Sequence, residues 1–156
     1  MSVLGLDRLT LWYWLLGLAQ AAHSIEEMRM RLYDFFWIAT GRLHEIFPSV
    51  SQVRMSAETF ALLNMSFITL LLGTVPAVRA RAPLALGFAG LAATIEVLNG
   101  IGHTAAAIWF RGYVPGVVTA PALFVTGLMV WRELLREPRA EPLTPTLSPG
   151  GRGGES

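Results

Sequence analysis

Apolar residues run through this chain in four long stretches, and the few polar residues placed inside those stretches are the ones that need explaining. Leu9 to Ala22 carries no charge, nor does Thr59 to Val78. Pro83 to Phe110 is apolar except for Glu96 and His103, and Gly112 to Trp131 is again uncharged. A membrane-spanning helix needs about 20 mostly apolar residues. Each stretch reaches that length if the first continues through His23 to Met28. Backbone groups in lipid must be paired within the segment, so the pattern predicts helices. The expected fold is all-α: a four-span transmembrane bundle with spans near 8–28, 59–78, 83–110 and 112–131.

Residues 29–58 form a long connection rich in Phe and Trp with interspersed charges. It is expected to lie in the interface as an amphipathic helix capping the bundle, with a plain loop or re-entrant segment as the alternatives. His44-Glu45 in this connection reads as an ordinary surface pair. From Glu137 the chain changes character. EPRAEPLTPTLSPGGRGGES is rich in Pro, Gly, Ser and Thr and has almost nothing to bury. It is expected to be disordered and dispensable. One domain, residues 1–136, and a tail, 137–156, follow.

Composition agrees with a membrane protein: 53% of the 156 residues are hydrophobic, 15% are charged and the mean hydropathy is +0.50. The absence of cysteine excludes disulfides, thiolate metal sites and Cys nucleophiles. A net charge of +1 gives no reason to expect nucleic acid. All twelve basic residues are arginine, a usage associated with GC-rich bacterial genomes. Four spans would put both termini and the second connection on one side with Arg8, Arg79, Arg81, Arg132, Arg136 and Arg139. The other side would hold Arg29, Arg31, Arg42, Arg54 and Arg111. Arginine asymmetry then predicts cytoplasmic termini in a bacterial inner membrane. Ala19-Gln20-Ala21 resembles a signal-cleavage site, but the positive n-region of a signal is missing because Asp7 cancels Arg8.

Charge is expensive in lipid, so intramembrane ionisable groups mark a functional site by default. His23, Glu26 and Glu27 lie at i, i+3 and i+4, one helix face. Glu96, Asn99 and His103 lie at i, i+3 and i+7 along another. Counted from the outer ends at 1.5 Å per residue, His23 and His103 sit roughly 8 and 10 Å deep and Glu96 roughly 20 Å. Asn64 and Thr119 enter the same outer half from the second and fourth spans. Two imidazoles and up to three carboxylates make a site for zinc, iron or manganese, with His23, Glu27, Glu96 and His103 as candidate ligands. Glu26, Glu96 and Asn99 are the candidate catalytic residues, since a carboxylate in apolar surroundings can act as general acid or base. A bis-His haem between His23 and His103 fits less well among carboxylates. The structural alternative is that His–Glu and Asn–backbone bonds simply hold helices together. Gly87, Gly90, Gly100 and Gly102 are expected to allow close packing of the third helix.

His23-Ser24-Ile25-Glu26-Glu27 resembles the motif that names the HXXEE family of small bacterial membrane proteins. Glu96-x-x-Asn99-x-x-x-His103 followed by Tyr113-x-Pro115-Gly116-x-x-Thr119 is similar to that family's later block. The resemblance implies a multi-span membrane protein with a His/Glu site and carries no activity with it. The chemistry, though no motif, is also similar to that of the emopamil-binding sterol isomerases. The leading expectation is a metal-dependent membrane enzyme acting on a lipid-like or isoprenoid-like substrate. A metal-free isomerase or cyclase, and a transporter or accessory subunit, are the alternatives. Expected partners are membrane lipid or an apolar small molecule, with self-association left open.

Overall fold

A computed structural model describes residues 6–137, and the tail expected to be disordered lies outside them from residue 138 onward. Among the described residues the chain is all-helical, and each helix boundary has a local cause. Asp7 caps α1 (Arg8–Arg29) by accepting from Thr10 N at 3.0 Å and Thr10 Oγ1 at 2.7 Å. Arg31 at φ 58° turns the chain into α2 (Leu32–Ile46), so the outer connection is helical over half its length. Ser56 caps α3 (Ala57–Gly73). Pro76 has no N–H to donate back to Leu72, and the helix breaks at Thr74 before the short α4 (Val75–Arg79). Pro83 opens α5 (Pro83–Phe110) at a position where a missing N–H costs nothing. The last helix, α6, spans Ala120–Leu134.

Among the described residues, two stretches are long and apolar enough to cross a membrane, Ala57–Arg79 and Pro83–Phe110. The expected first span coincides with α1, whose charges crowd its ends. The expected fourth span, 112–131, needs correction. Residues 112–119 form turns, and helix begins only at Ala120. Pro115 and Gly116, with Gly116 at φ 94°, keep the chain from helical geometry there.

α1 packs against α3 and α6, and α5 packs against α6, while α1 and α5 approach each other closely at few points. The α5–α6 contact depends on two glycines. A Cβ on Gly100 would stand 2.9 Å from Ala120 O, and one on Gly127 would stand 2.9 Å from Ala93 O. Gly87 and Gly102, also expected at a packed face, meet open space, and Gly90 makes only ordinary contact with Trp131 and Leu134. Arg81 joins both ends of the described residues: its guanidinium lies 2.9 Å from Asp7 and 2.8 Å from Glu137. Glu137 therefore belongs to the folded part and not to the tail.

The bundle divides along its length. Near that end the interior is apolar, with Leu9, Tyr13, Leu16, Leu71, Ala89 and Val130 fully buried. Toward the other end a polar group, His23, Ser24, Glu27, Glu96 and His103, is buried beside the apolar Leu32, Phe60 and Val114. The perimeter is apolar and bare, with Leu62, Met65, Leu84, Leu98 and Ile108 all more than half exposed. Such a surface is unusual for a chain surrounded by water.

Candidate metal centre

The two imidazoles converge on one carboxylate oxygen. His23 Nε2 and His103 Nε2 each lie 3.1 Å from Glu27 Oε1. The rings meet edge to face, with centroids 4.7 Å apart and planes at 82°. His23 is fully buried, and Glu27 and His103 nearly so. His23 and Glu27 face the same way because they are four residues apart on α1. His103 reaches them from α5 across the gap that those two helices leave.

The second glutamate of the motif has a different job. Glu26 accepts five hydrogen bonds from the α5–α6 turn. Tyr113 OH donates at 2.8 Å, and the backbone amides of Gly116, Val118 and Thr119 donate at 3.1, 3.2 and 2.9 Å. Thr119 Oγ1 adds a fifth at 2.7 Å. Glu26 thus pins the turn and stands apart from the imidazole cluster, so the expectation of Glu26 as an acid or base at the site does not match its position. Its grip has a consequence for His23. Thr119 Oγ1 has a single hydrogen, directed to an acceptor-only carboxylate. It must then accept from His23 Nδ1, 2.7 Å away. That places the ring proton on Nδ1 and leaves Nε2 with a lone pair. His23 Nε2 is buried and makes no hydrogen bond of acceptable geometry. A lone pair 3.1 Å from a carboxylate oxygen is unfavourable unless a cation or a proton stands between them.

Gly116 closes the site on the turn side. A Cβ there would lie 2.7 Å from His23 Cε1 and 2.6 Å from His103 Cε1. Only glycine satisfies both this contact and the backbone φ of 94°.

Glu96 is fully buried but stands outside the cluster of His23, Glu27 and His103. Seven residues separate it from His103, which is two helical turns or about 10 Å along the axis. The two share a face of α5 but not a height. The partner of Glu96 is Gln20, whose amide nitrogen, oriented toward α5, lies 3.0 Å from both carboxylate oxygens. In that orientation the Gln20 oxygen is 3.1 Å from Ser24 Oγ, which in turn lies 2.7 Å from Asn64 Oδ1 on α3. Gln20 was not among the sequence candidates. It extends the His23–Glu27 face one turn back, at i−3 from His23, and that spacing is the signal that could have found it.

A cavity of about 440 Å³ opens beside the cluster. Glu27 and His103 form part of its wall, with Gln20, Asn64 and Asn99. α2 roofs it through Phe35 and Phe36, and Phe35 stacks edge-on against Phe110 of α5 at 4.9 Å. His44 is exposed on α2, bonded through Nδ1 to Val50 O at 2.7 Å and apart from the site.

Residues 14–131 match a family described as protein of unknown function with HXXEE motif. The chain belongs to this family. Comparison with curated proteins and with solved structures found no match. The matched region contains the motif on α1, the His103 face of α5 and the turn that Glu26 holds.

Proposed function

We propose that this HXXEE protein is an integral membrane enzyme with a divalent metal centre formed by His23, Glu27 and His103. The observation that carries the reading is the buried, unpartnered His23 Nε2. It is held as a lone pair by Thr119 and points at the same oxygen as His103 Nε2. The 3.1 Å separations are close to the edge of about 3.3 Å for a tetrahedron with 2.0–2.1 Å bonds. Two imidazoles and one carboxylate suit zinc, iron or manganese and leave coordination positions open. Thr119 and Glu26 act as the outer hydrogen-bonding shell that fixes a ligand's tautomer. A bound ion would supply Lewis-acid polarisation of a substrate oxygen in the cavity. Asn99 would orient that substrate, and Glu96 with Gln20 would support the floor beneath.

The bilayer setting is part of the same proposal. α1, α3 with α4, α5, and α6 with its preceding turn would cross, α2 would lie in the outer interface, and the termini would be cytoplasmic in a bacterial inner membrane. The bare apolar perimeter and the two sufficiently long helices support it. Elemental analysis of detergent-purified protein tests the metal centre. About one zinc, iron or manganese per chain is expected, lost in His23→Ala, Glu27→Ala and His103→Ala. A wild-type protein that neither retains nor takes up any of these ions would overturn it.

A further inference from the structure

The cavity beside the imidazoles has a chemistry that narrows what it could receive. Its polar wall is built from Gln20, Asn64 and Asn99 together with Glu27 and His103, and the lining includes no arginine. Planar, bidentate recognition of phosphate or carboxylate is ordinarily supplied by arginine. The nearby outer arginines are placed elsewhere. Arg42 borders a separate apolar cavity between α2 and the end of α5, and Arg54 lies over the Trp37 ring at 4.6 Å. A lipid phosphate or fatty carboxylate brought here would meet Glu27 and uncharged amides. A hydroxyl or carbonyl oxygen would meet the donors and acceptors it needs.

The route into the cavity is lateral. α3 and α5 make at most slight contact with one another. The gap between them is walled by Phe60 and Asn64 on one side and Leu98 and Asn99 on the other. Leu98 is 61% exposed, and Leu63, one residue before Asn64, is 55% exposed. The mouth of this cavity, apolar but for one polar wall, is thus framed by bare apolar side chains. α2 covers it from the outer side with an aromatic roof. An apolar chain extending through this mouth would remain in lipid while its polar end reached His103 and Glu27.

We propose that the site receives a long-chain amphiphile with an uncharged oxygen head, an alcohol or a carbonyl compound, which enters sideways between α3 and α5 beneath α2. This rests on the membrane setting above but not on the presence of metal. Diazirine-bearing hexadecanol, palmitic acid and phosphatidylcholine, each added to full-length protein in vesicles, provide the test. Photolabelling by the alcohol should map to α3 and α5 around Phe60 and Leu98. Unlabelled hexadecanol should compete at least about tenfold better than palmitate, the discrimination expected when buried polar groups are left unpaired. Asn64→Leu and Asn99→Leu should each reduce labelling, and competition in wild-type protein remains decisive if either variant fails to fold. Labelling by palmitate or phosphatidylcholine equal to that by the alcohol, or labelling spread evenly over the perimeter, would overturn the proposal. Metal content of the same samples separates the two readings. Selective alcohol capture without bound metal removes the metal centre and keeps the substrate class. Bound metal without selective capture does the reverse.

Discussion

Thr119 distinguishes a metal-ligating His23 from one that merely braces helices. If its hydroxyl holds the His23 proton on Nδ1, Thr119→Val should weaken metal binding about 10- to 100-fold, the usual effect of losing an outer-shell partner. Thr119→Ser should restore it, because serine keeps the hydroxyl. Chelator competition on the purified variants gives the affinities, and equal binding by the valine and threonine proteins would refute the relay. Gly116→Ala is the matching steric test. The added methyl meets both rings and a strained backbone, which together should lower Tm and empty the site. Glu96→Gln separates height from face. Glu96 lies two turns below His103 and is bonded to Gln20, so this variant should keep its full complement of metal. Loss of metal would return Glu96 to the ligand set.

At the scale of elements, the N-terminus of α1 is where stability should respond to pH. The ordinary Asp7 value of 3.8 is lowered to about 2, as hydrogen bonds from Thr10 and the Arg81 guanidinium outweigh the opposing effect of burial. Because the folded value lies below the unfolded one, this stabilisation is complete above about pH 4 and is lost as pH falls toward 2. Asp7→Ala should cost about 1 kcal/mol as a lost cap and flatten the acid limb of a stability–pH profile. An unchanged profile would mean the contact with Arg81 contributes nothing. Elements of this kind were unevenly legible in the sequence. Long apolar runs located α1, α3 with α4, and α5 within two residues at their ends. The fourth run, drawn from 112, began too early, although Tyr113-Val114-Pro115-Gly116 carries a turn signal within it. The Pro-Gly pair and the partnership with Glu26 make Tyr113 to Thr119 a site loop. Glu26 and Glu27 were placed correctly on one helix, but adjacent residues on a helix point about 100° apart. Glu27 was named as the ligand beside His23 and His103, but sequence spacing did not reveal that Glu26 faced the turn. Glu96 was counted about 10 Å deeper than His103, and the ligand set still included it because the two share a face.

For the whole molecule, Arg81 bridging Asp7 and Glu137 places both ends of the described chain together with the connection before α5. A reporter fused after residue 137 should therefore signal from the cytoplasm, and a periplasmic signal would contradict the proposed topology. Deleting residues 138–156 should leave expression and metal content intact, whereas a deletion that includes Glu137 removes one arm of the Arg81 bridge. Division of the bundle into an apolar half and a polar half is what couples these scales. The apolar half supplies the packing that holds α1 and α5 in place. The polar half uses their separation to gather two imidazoles and a carboxylate next to a cavity.

X-ray absorption at the edge of the bound metal tests the central claim most directly. The wild-type protein should show a shell of light N and O donors near 2.0–2.1 Å with the multiple-scattering signature of two imidazoles. In His103→Ala that signature should fall to one imidazole, or the metal should be absent. A metal shell without imidazole, or one unchanged by His103→Ala, would contradict a His23–Glu27–His103 centre.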